Sequence, residues 1–257
     1  MKGGFWALAL AGAWAAASPA HAASDMTYIA AEGADLGDCN AYSPCLTLAF
    51  AIKQTNAGGT VNVEDSGNYG TATITKPLTL RADSSDPIII ASLTINAGVN
   101  DQVEIIGITF NGMNNGTPYQ NGILITQANQ VFIDNCKFWN YGTSGQPGGA
   151  VYVAPVSFSR VTVAGTEMFN NSVGITMTLS PSAGAGAASH LKIFHSFLSS
   201  NVDAGIRVIG STNDALIEST QVFGSTKALD LQNGAVARSY GNNVITNGDA
   251  VIPVPLN

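Results

Sequence analysis

Apolar positions along this chain fall into register at Val103, Val131, Val161, Leu191 and Ala215, with a weaker echo at Ala235; the steps are 28, 30, 30, 24 and 20 residues. Two residues after each of the first five stands Ile105, Ile133, Val163, Ile193 or Ile217, and seven after stands Phe110, Phe138, Met168, Leu198 or Val222. Alternation over the first few residues predicts a half-buried strand. Five positions on come Ile108, Cys136, Thr166, Ser196 and Thr220, and this odd-numbered jump requires a bend between two short strands. A second alternating column precedes each anchor: Ile123 and Ile125, Val151 and Val153, Ile175 and Met177, Ile206 and Val208, Leu229 and Leu231. Each period thus supplies about three strands, too few to bury their apolar side chains except against neighbours above and below. Coils stacked about 4.8 Å apart give that burial.

A leucine-rich repeat would need a shorter, steadier period and Leu-Asn consensus positions that are missing here. An antiparallel sandwich explains alternation, yet not the recurrence of the same two columns in the same order. The segments VEIIGITFNG, VFIDNCKFWN and VTVAGTEMFNN, with the entry segment CLTLAFAIKQTNAGGTVNVEDSGNYG, resemble the pectate-lyase-like, right-handed parallel β-helix repeat family of exported bacterial proteins. The resemblance covers nearly all of residues 27–250. It implies an all-β, single-stranded right-handed parallel β-helix with a short N-terminal capping helix over the open end of the stack. Leu46, Ala49, Ile52 and the run from Lys53 to Gly58 fit that helix, ended by glycine. One fold hosts many functions, so the resemblance specifies architecture and leaves activity open.

The first 22 residues change the picture of where the chain works. Lys2, an apolar run from Phe5 to Ala17, and Ala20-His21-Ala22 as a small-residue cleavage site read as a secretory leader. Ser18, Pro19 and His21 interrupt the run before it is long enough for a membrane anchor, and no later stretch is apolar enough to span. The expected organisation is therefore a leader (1–22), an N-terminal cap with a disulfide loop and helix (23–58), and the β-helix (59–257), exported to the periplasm, cell surface or medium. The 28 glycines and an 11% charged fraction suit short strands and turns. Ten basic against 17 acidic residues give a net charge of −7, and loss of Lys2 deepens it by one. That sign disfavours nucleic acid and extended polyanions, unless a cation or a local basic groove intervenes.

Cys39 and Cys45, six apart in a polar loop, read as a local disulfide in an oxidising compartment. Cys136 replaces an isoleucine in the corner column and reads as a buried thiol. No metal is expected: no second Cys or His pair stands at ligand spacing, and His190 and His195 are five apart. No cofactor is expected either.

Relatives that cleave acidic polysaccharides hold calcium on carboxylates from neighbouring coils and use an Arg or Lys as base, which the resemblance makes worth seeking here. Glu104 and Asp134 are only diagonal neighbours, so a calcium site between them is weakly supported. Glu32, Asp35 and Asp38 suit an acidic solvated loop better than a metal site. Lys137 with Glu167, Arg207 with Asp230, and Glu218 with Arg238 read as cross-strand ion pairs. Asn213-Asp214 reads as a turn. No two carboxylates converge as a glycosidase needs, so the catalytic residues, if any, are unassigned. Two long connections, Asn111 to Asn121 and Asn140 to Gly149, leave the same corner and place Tyr119, Trp139, Tyr141 and Tyr152 as a candidate sugar-stacking surface. The plainer reading is that these rings fold back over the loop bases. The leading expectation is an exported protein that binds a cell-envelope or environmental glycan, neutral in preference to a polyuronate. A structural or adhesive module and a polysaccharide lyase are the alternatives.

Overall fold

The alternating columns become two parallel sheets whose strands follow one another coil by coil. The computed structural model describes residues 23–82, 87–146 and 148–255; the expected leader lies outside them. A ten-stranded sheet runs from Ser24–Ile29 through Thr55–Val63, Leu78–Ala82, Gln102–Ile106, Gln130–Asp134, Ser159–Ala164, Ser189–Phe194, Asp214–Glu218 and Val236–Ser239 to Ile252–Pro253. Every neighbouring pair in it is parallel. The second sheet holds two columns that diverge from Ile88–Asn96: Ile88 to Ile90 pair with Thr109–Asn111, while Leu93 to Asn96 pair with Asn121–Gln127. One column continues through the three-residue strands Lys137–Trp139, Glu167–Phe169, Phe197–Ser199 and Gln221–Phe223. The other continues through Gly149–Val153, Val173–Met177, Ala204–Ile209 and Lys227–Gln232.

Ile105, Ile133, Val163, Ile193 and Ile217 are direct register partners in one buried stack, which Val61 and Leu80 extend toward the N-terminal end. Phe110, Phe138, Met168, Leu198 and Val222 form the facing stack, with Phe110 and Phe138 parallel at 4.7 Å. Burying a side chain of this size stabilises by about 1.5–3 kcal/mol, so these columns supply most of the cohesion between coils. The last anchor is Ala237 and not Ala235, because the pairing that ends the sheet sets Ala215 opposite Ala237. Consequently Arg238 stands opposite Leu216 and not Glu218; it bonds Asp214 instead, and Glu218 lies 3.9 Å from Lys192.

At the first corner a single residue per coil has positive φ: Gly107, Asn135, Gly165, His195 and Ser219. The next residue turns inward and makes a polar ladder. Thr166, Ser196 and Thr220 each donate a hydroxyl to the carbonyl two residues back. Each also accepts the corner N–H of the preceding coil, from Cys136, Thr166 and Ser196 in turn. The thiol of Cys136 takes the same place, fully buried, and burial pushes its ionisation up to about 12.

The capping helix spans Leu48–Gln54 rather than reaching Gly58, and buries Leu48, Ala51 and Ile52 in place of Leu46 and Ala49. Asp35 causes the shift. Its carboxylate accepts the N–H groups of Leu46 and Thr47 and the hydroxyl of Thr47, fixing Thr47 as the N-cap that accepts from Phe50 N. The Cys39–Cys45 disulfide forms, with Cα atoms 5.0 Å apart. Both cysteines are buried, because Cys39 and Cys45 backbone groups satisfy the outer edge of Tyr28. The first strand's free edge is thereby covered. At the other end Pro253, in the last strand, has no N–H to offer a further strand.

Candidate functional site

On the outer side of the long-strand column, Leu124, Tyr152, Thr176, Arg207 and Asp230 are successive register partners. A cleft of ≈590 Å³ opens over the last four, bordered by Gly145, Gln146, Asp203, Lys227 and Gln232. The connection after Trp139 forms its wall. Asp203 latches that wall from two coils further on, accepting from Ser144 Oγ at 2.7 Å and Gly145 N at 2.9 Å.

Asp230 is 5% exposed and fully engaged. It accepts from Arg207 Nε at 2.8 Å, Lys227 Nζ at 3.0 Å and Gln232 Nε2 at 2.8 Å. Burial opposes its ionisation, but these three donors outweigh burial and hold its carboxyl below the usual carboxylate range. Lys227, drawn up by the hydrogen bond it donates to Asp230, also lies 3.6 Å from Asp249. Asp230 is therefore an orienting group for Arg207 rather than an available base. Among the described residues the Arg207 side chain bonds only through Nε, so its terminal nitrogens remain free to donate, and the residue lines the cleft.

The floor between Tyr152 and Arg207 is Thr176, 4% exposed. Its Oγ1 has no hydrogen-bond partner and is closed to solvent, so the cost of leaving it unpaired, on the order of 1–3 kcal/mol, belongs to the fold.

The four aromatic residues read as one stacking surface are separated by the fold. Tyr141 is fully buried and donates its hydroxyl to Ala91 O at 2.7 Å, so it cannot contact a ligand. It follows Asn140, whose φ is positive at the second corner, as Asn171 follows Asn170. That geometry turns Tyr141 inward as it does Asn171, which bonds Asn201 in the same buried position one coil on. Tyr119 packs against the core, and its hydroxyl accepts from Asn114 of the Met113–Asn114/Thr117–Pro118 hairpin. Trp139 lies on the three-residue strand column and stacks on Phe169 at 5.2 Å, so one ring face is covered. Tyr152 alone of the four lines the cleft.

Thr176, Gln146, Asp203, Lys227 and Gln232 were not among the sequence candidates. The signal for Thr176 was present: it holds the same outward place between Ile175 and Met177 that Arg207 and Asp230 hold in their strands. Gln146 and Asp203 carried none, since a loop's path over a neighbouring coil has no periodicity. Elsewhere, Glu104 and Asp134 are diagonal as expected, opposite Phe132 and Ile106, and Lys137 is opposite Glu167. Asn213 is a buried ladder residue whose side chain accepts from Ser189 N and donates to Ile209 O.

No protein-family model and no curated protein matches the chain. Among solved structures, a rhamnogalacturonan lyase is similar, with a TM-score of 0.59 at 12% identity over 83% of this chain. The match spans 66% of that lyase's length. The likeness shows the fold, a parallel β-helix of the pectate-lyase-like kind.

Proposed function

We propose that this chain is an exported, single-stranded right-handed β-helix that binds a neutral glycan along the cleft over Tyr152, Thr176 and Arg207. Right-handed winding is the hand that parallel crossovers take almost without exception. The disulfide suits an oxidising compartment. The observation that carries the ligand reading is the cleft itself, lined by Tyr152, Arg207, Gln146 and Gln232 and of a volume that suits a small ligand. Tyr152 offers a ring to a sugar face, while Arg207, Gln146 and Gln232 offer donors to its hydroxyls. Two cations, Arg207 and Lys227, meet two carboxylates, Asp203 and Asp230, across the cleft. With no net positive charge there, uronate chains gain no electrostatic advantage on an acidic protein.

Binding is favoured over cleavage because the carboxylates at the cleft are engaged: Asp230 by Arg207, Lys227 and Gln232, Asp203 by Ser144 and Gly145, and nearby Asp249 by Lys227 and Leu231 N. A rigid structural or adhesive rod remains the competing class, and one experiment separates the two. A glycan array with and without calcium, followed by calorimetry on the hit, should give a neutral ligand whose affinity falls roughly tenfold in Tyr152→Ala. Arg207→Gln should weaken it by a similar factor. A bound glycan indifferent to both substitutions moves the site elsewhere; no glycan bound at all favours the rod.

A further inference from the structure

The outer face of the ten-stranded sheet carries a second polar cluster, on different strands from the cleft. Arg160, His190 and Asp214 are consecutive register partners, and Lys192 stands beside His190 two residues along, opposite Thr162. Together with Leu216 they line a depression of ≈310 Å³. The guanidinium of Arg160 lies 4.6 Å from the Phe158 ring centroid. The same ring meets His190 edge-on at 5.3 Å, so the two basic groups are held on one aromatic support.

The charge pattern here is unlike the ion pairs elsewhere on the surface. Asp214 is shared: one oxygen bonds His190 Nδ1 and the other Arg238. Lys192 leans toward Glu218 at 3.9 Å, a loose contact between half-exposed groups. The Arg160 guanidinium has no hydrogen-bond or carboxylate partner among the described residues, although the residue stands directly opposite His190. Two basic groups facing each other across neighbouring strands repel when both are charged. In a chain of net charge −7, Arg160, Lys192 and Arg238 outnumber Asp214 and Glu218 on this patch before His190 is counted.

We propose that this patch binds a tetrahedral oxyanion, a phosphate or sulfate group. Arg160, His190 and Lys192 occupy three neighbouring points of the strand lattice, and three separate donors match the three acceptor oxygens of such a group better than the two of a carboxylate. Arg160 brings a preoriented guanidinium fork, and since His190 Nδ1 donates to Asp214, its Nε2 is the third donor in the imidazolium form of the ring. Asp214, Glu218 and the acidic remainder of the surface restrict the ligand to one local anionic group. A continuous polyanion would meet repulsion beyond the patch.

The test titrates the full chain with inorganic phosphate, inorganic sulfate, a hexose 6-phosphate and a hexose 6-sulfate, at constant ionic strength made up with chloride. The readouts are the His190 imidazole resonances and calorimetry. The wild type should saturate, and Arg160→Gln should weaken binding roughly tenfold. Arg207→Gln, in the glycan cleft, should leave oxyanion binding unchanged while lowering glycan affinity, which keeps the two sites distinguishable. A sugar ester that binds more tightly than its bare ion identifies the site as a reader of a substituted glycan; the reverse order identifies a free-ion site. Absence of saturation, equal displacement by chloride, or an Arg160→Gln protein that binds like wild type would overturn the proposal.

Discussion

The sequence groups Tyr141 and Tyr152, eleven residues apart, as ligand contacts, yet the structure makes opposite demands of them. The Tyr141 ring is fully buried, 6.3 Å from Phe138, in space that two glycines leave open. A Cβ on Gly112 would come within 2.7 Å of Tyr141 Cδ1, and one on Gly122 within 3.2 Å of its Cε2. Truncating such a ring to alanine costs about 3–5 kcal/mol through lost burial and the cavity left behind. In a chain of this length that lowers Tm by roughly 2–4 °C per kcal/mol. Tyr141→Phe keeps the ring and removes only the bond to Ala91 O, for about 1 kcal/mol. Tyr152→Ala, on the open side of its strand, should cost less than about 0.5 kcal/mol. Thermal and urea unfolding of the three variants should order them Tyr141→Ala far below Tyr141→Phe, with Tyr152→Ala near wild type. Glycan affinity should follow the reverse rule and fall only in Tyr152→Ala. If Tyr141→Ala unfolds like wild type, the argument that the second corner turns this position into the core is wrong.

Alkaline stability gives a second check. Burial raises the Cys136 thiol and the Tyr141 phenol, and burial followed by the bond to Asp65 raises Tyr69. A raised folded value means stability that is complete below the unfolded values, about 9 for thiol and 10 for phenol, and lost as pH climbs beyond them. Urea midpoints should hold to about pH 9 and then fall, by up to ~1.4 kcal/mol per pH unit for each group engaged; Cys136→Ala should remove the earliest part of the fall. Reducing Cys39–Cys45, which closes a short loop, should cost about 2 kcal/mol and expose the first strand to proteolysis before the later coils. Asp230→Asn should free the charge of Arg207 and Lys227, so that affinity for uronate oligomers rises and becomes salt-dependent. Unchanged selectivity in that variant would show that Asp230 does not set the proposed preference for neutral sugars.

What the sequence made legible is what repeats. Columns at offsets of zero, two and seven from each anchor became register partners because identical neighbours are the only surface on which such short strands can bury a side chain. Their regularity faded toward both ends. Near the start, Val61 and Leu80 belong to the same stack, but coils there are short and Ile88–Asn96 serves both columns of the second sheet. Near the end, Gln221 to Val236 close a coil without an insertion, and Ala235 lies two residues short of the true partner of Ala215.

The site was legible only where it borrowed that periodicity. Tyr152, Arg207 and Asp230 could be placed on one outward line because each stands between two core residues of its strand. The loops obeyed another rule, set by a positive φ. After Asn140, Asn170 and Ser200 the next residue points inward, and Tyr141, Asn171 and Asn201 share an offset of ten from their anchors. Two asparagines and a tyrosine do not look alike in a hydrophobicity pattern, yet they answer the same need, a side chain that fills the corner and bonds a backbone carbonyl within it. Aromatic residues in long connections therefore say less about ligands here than residues on the outward line of the sheet. That is why Tyr152, held on its strand between the buried Val151 and Val153 and lining the cleft, carries more of the functional argument than Trp139.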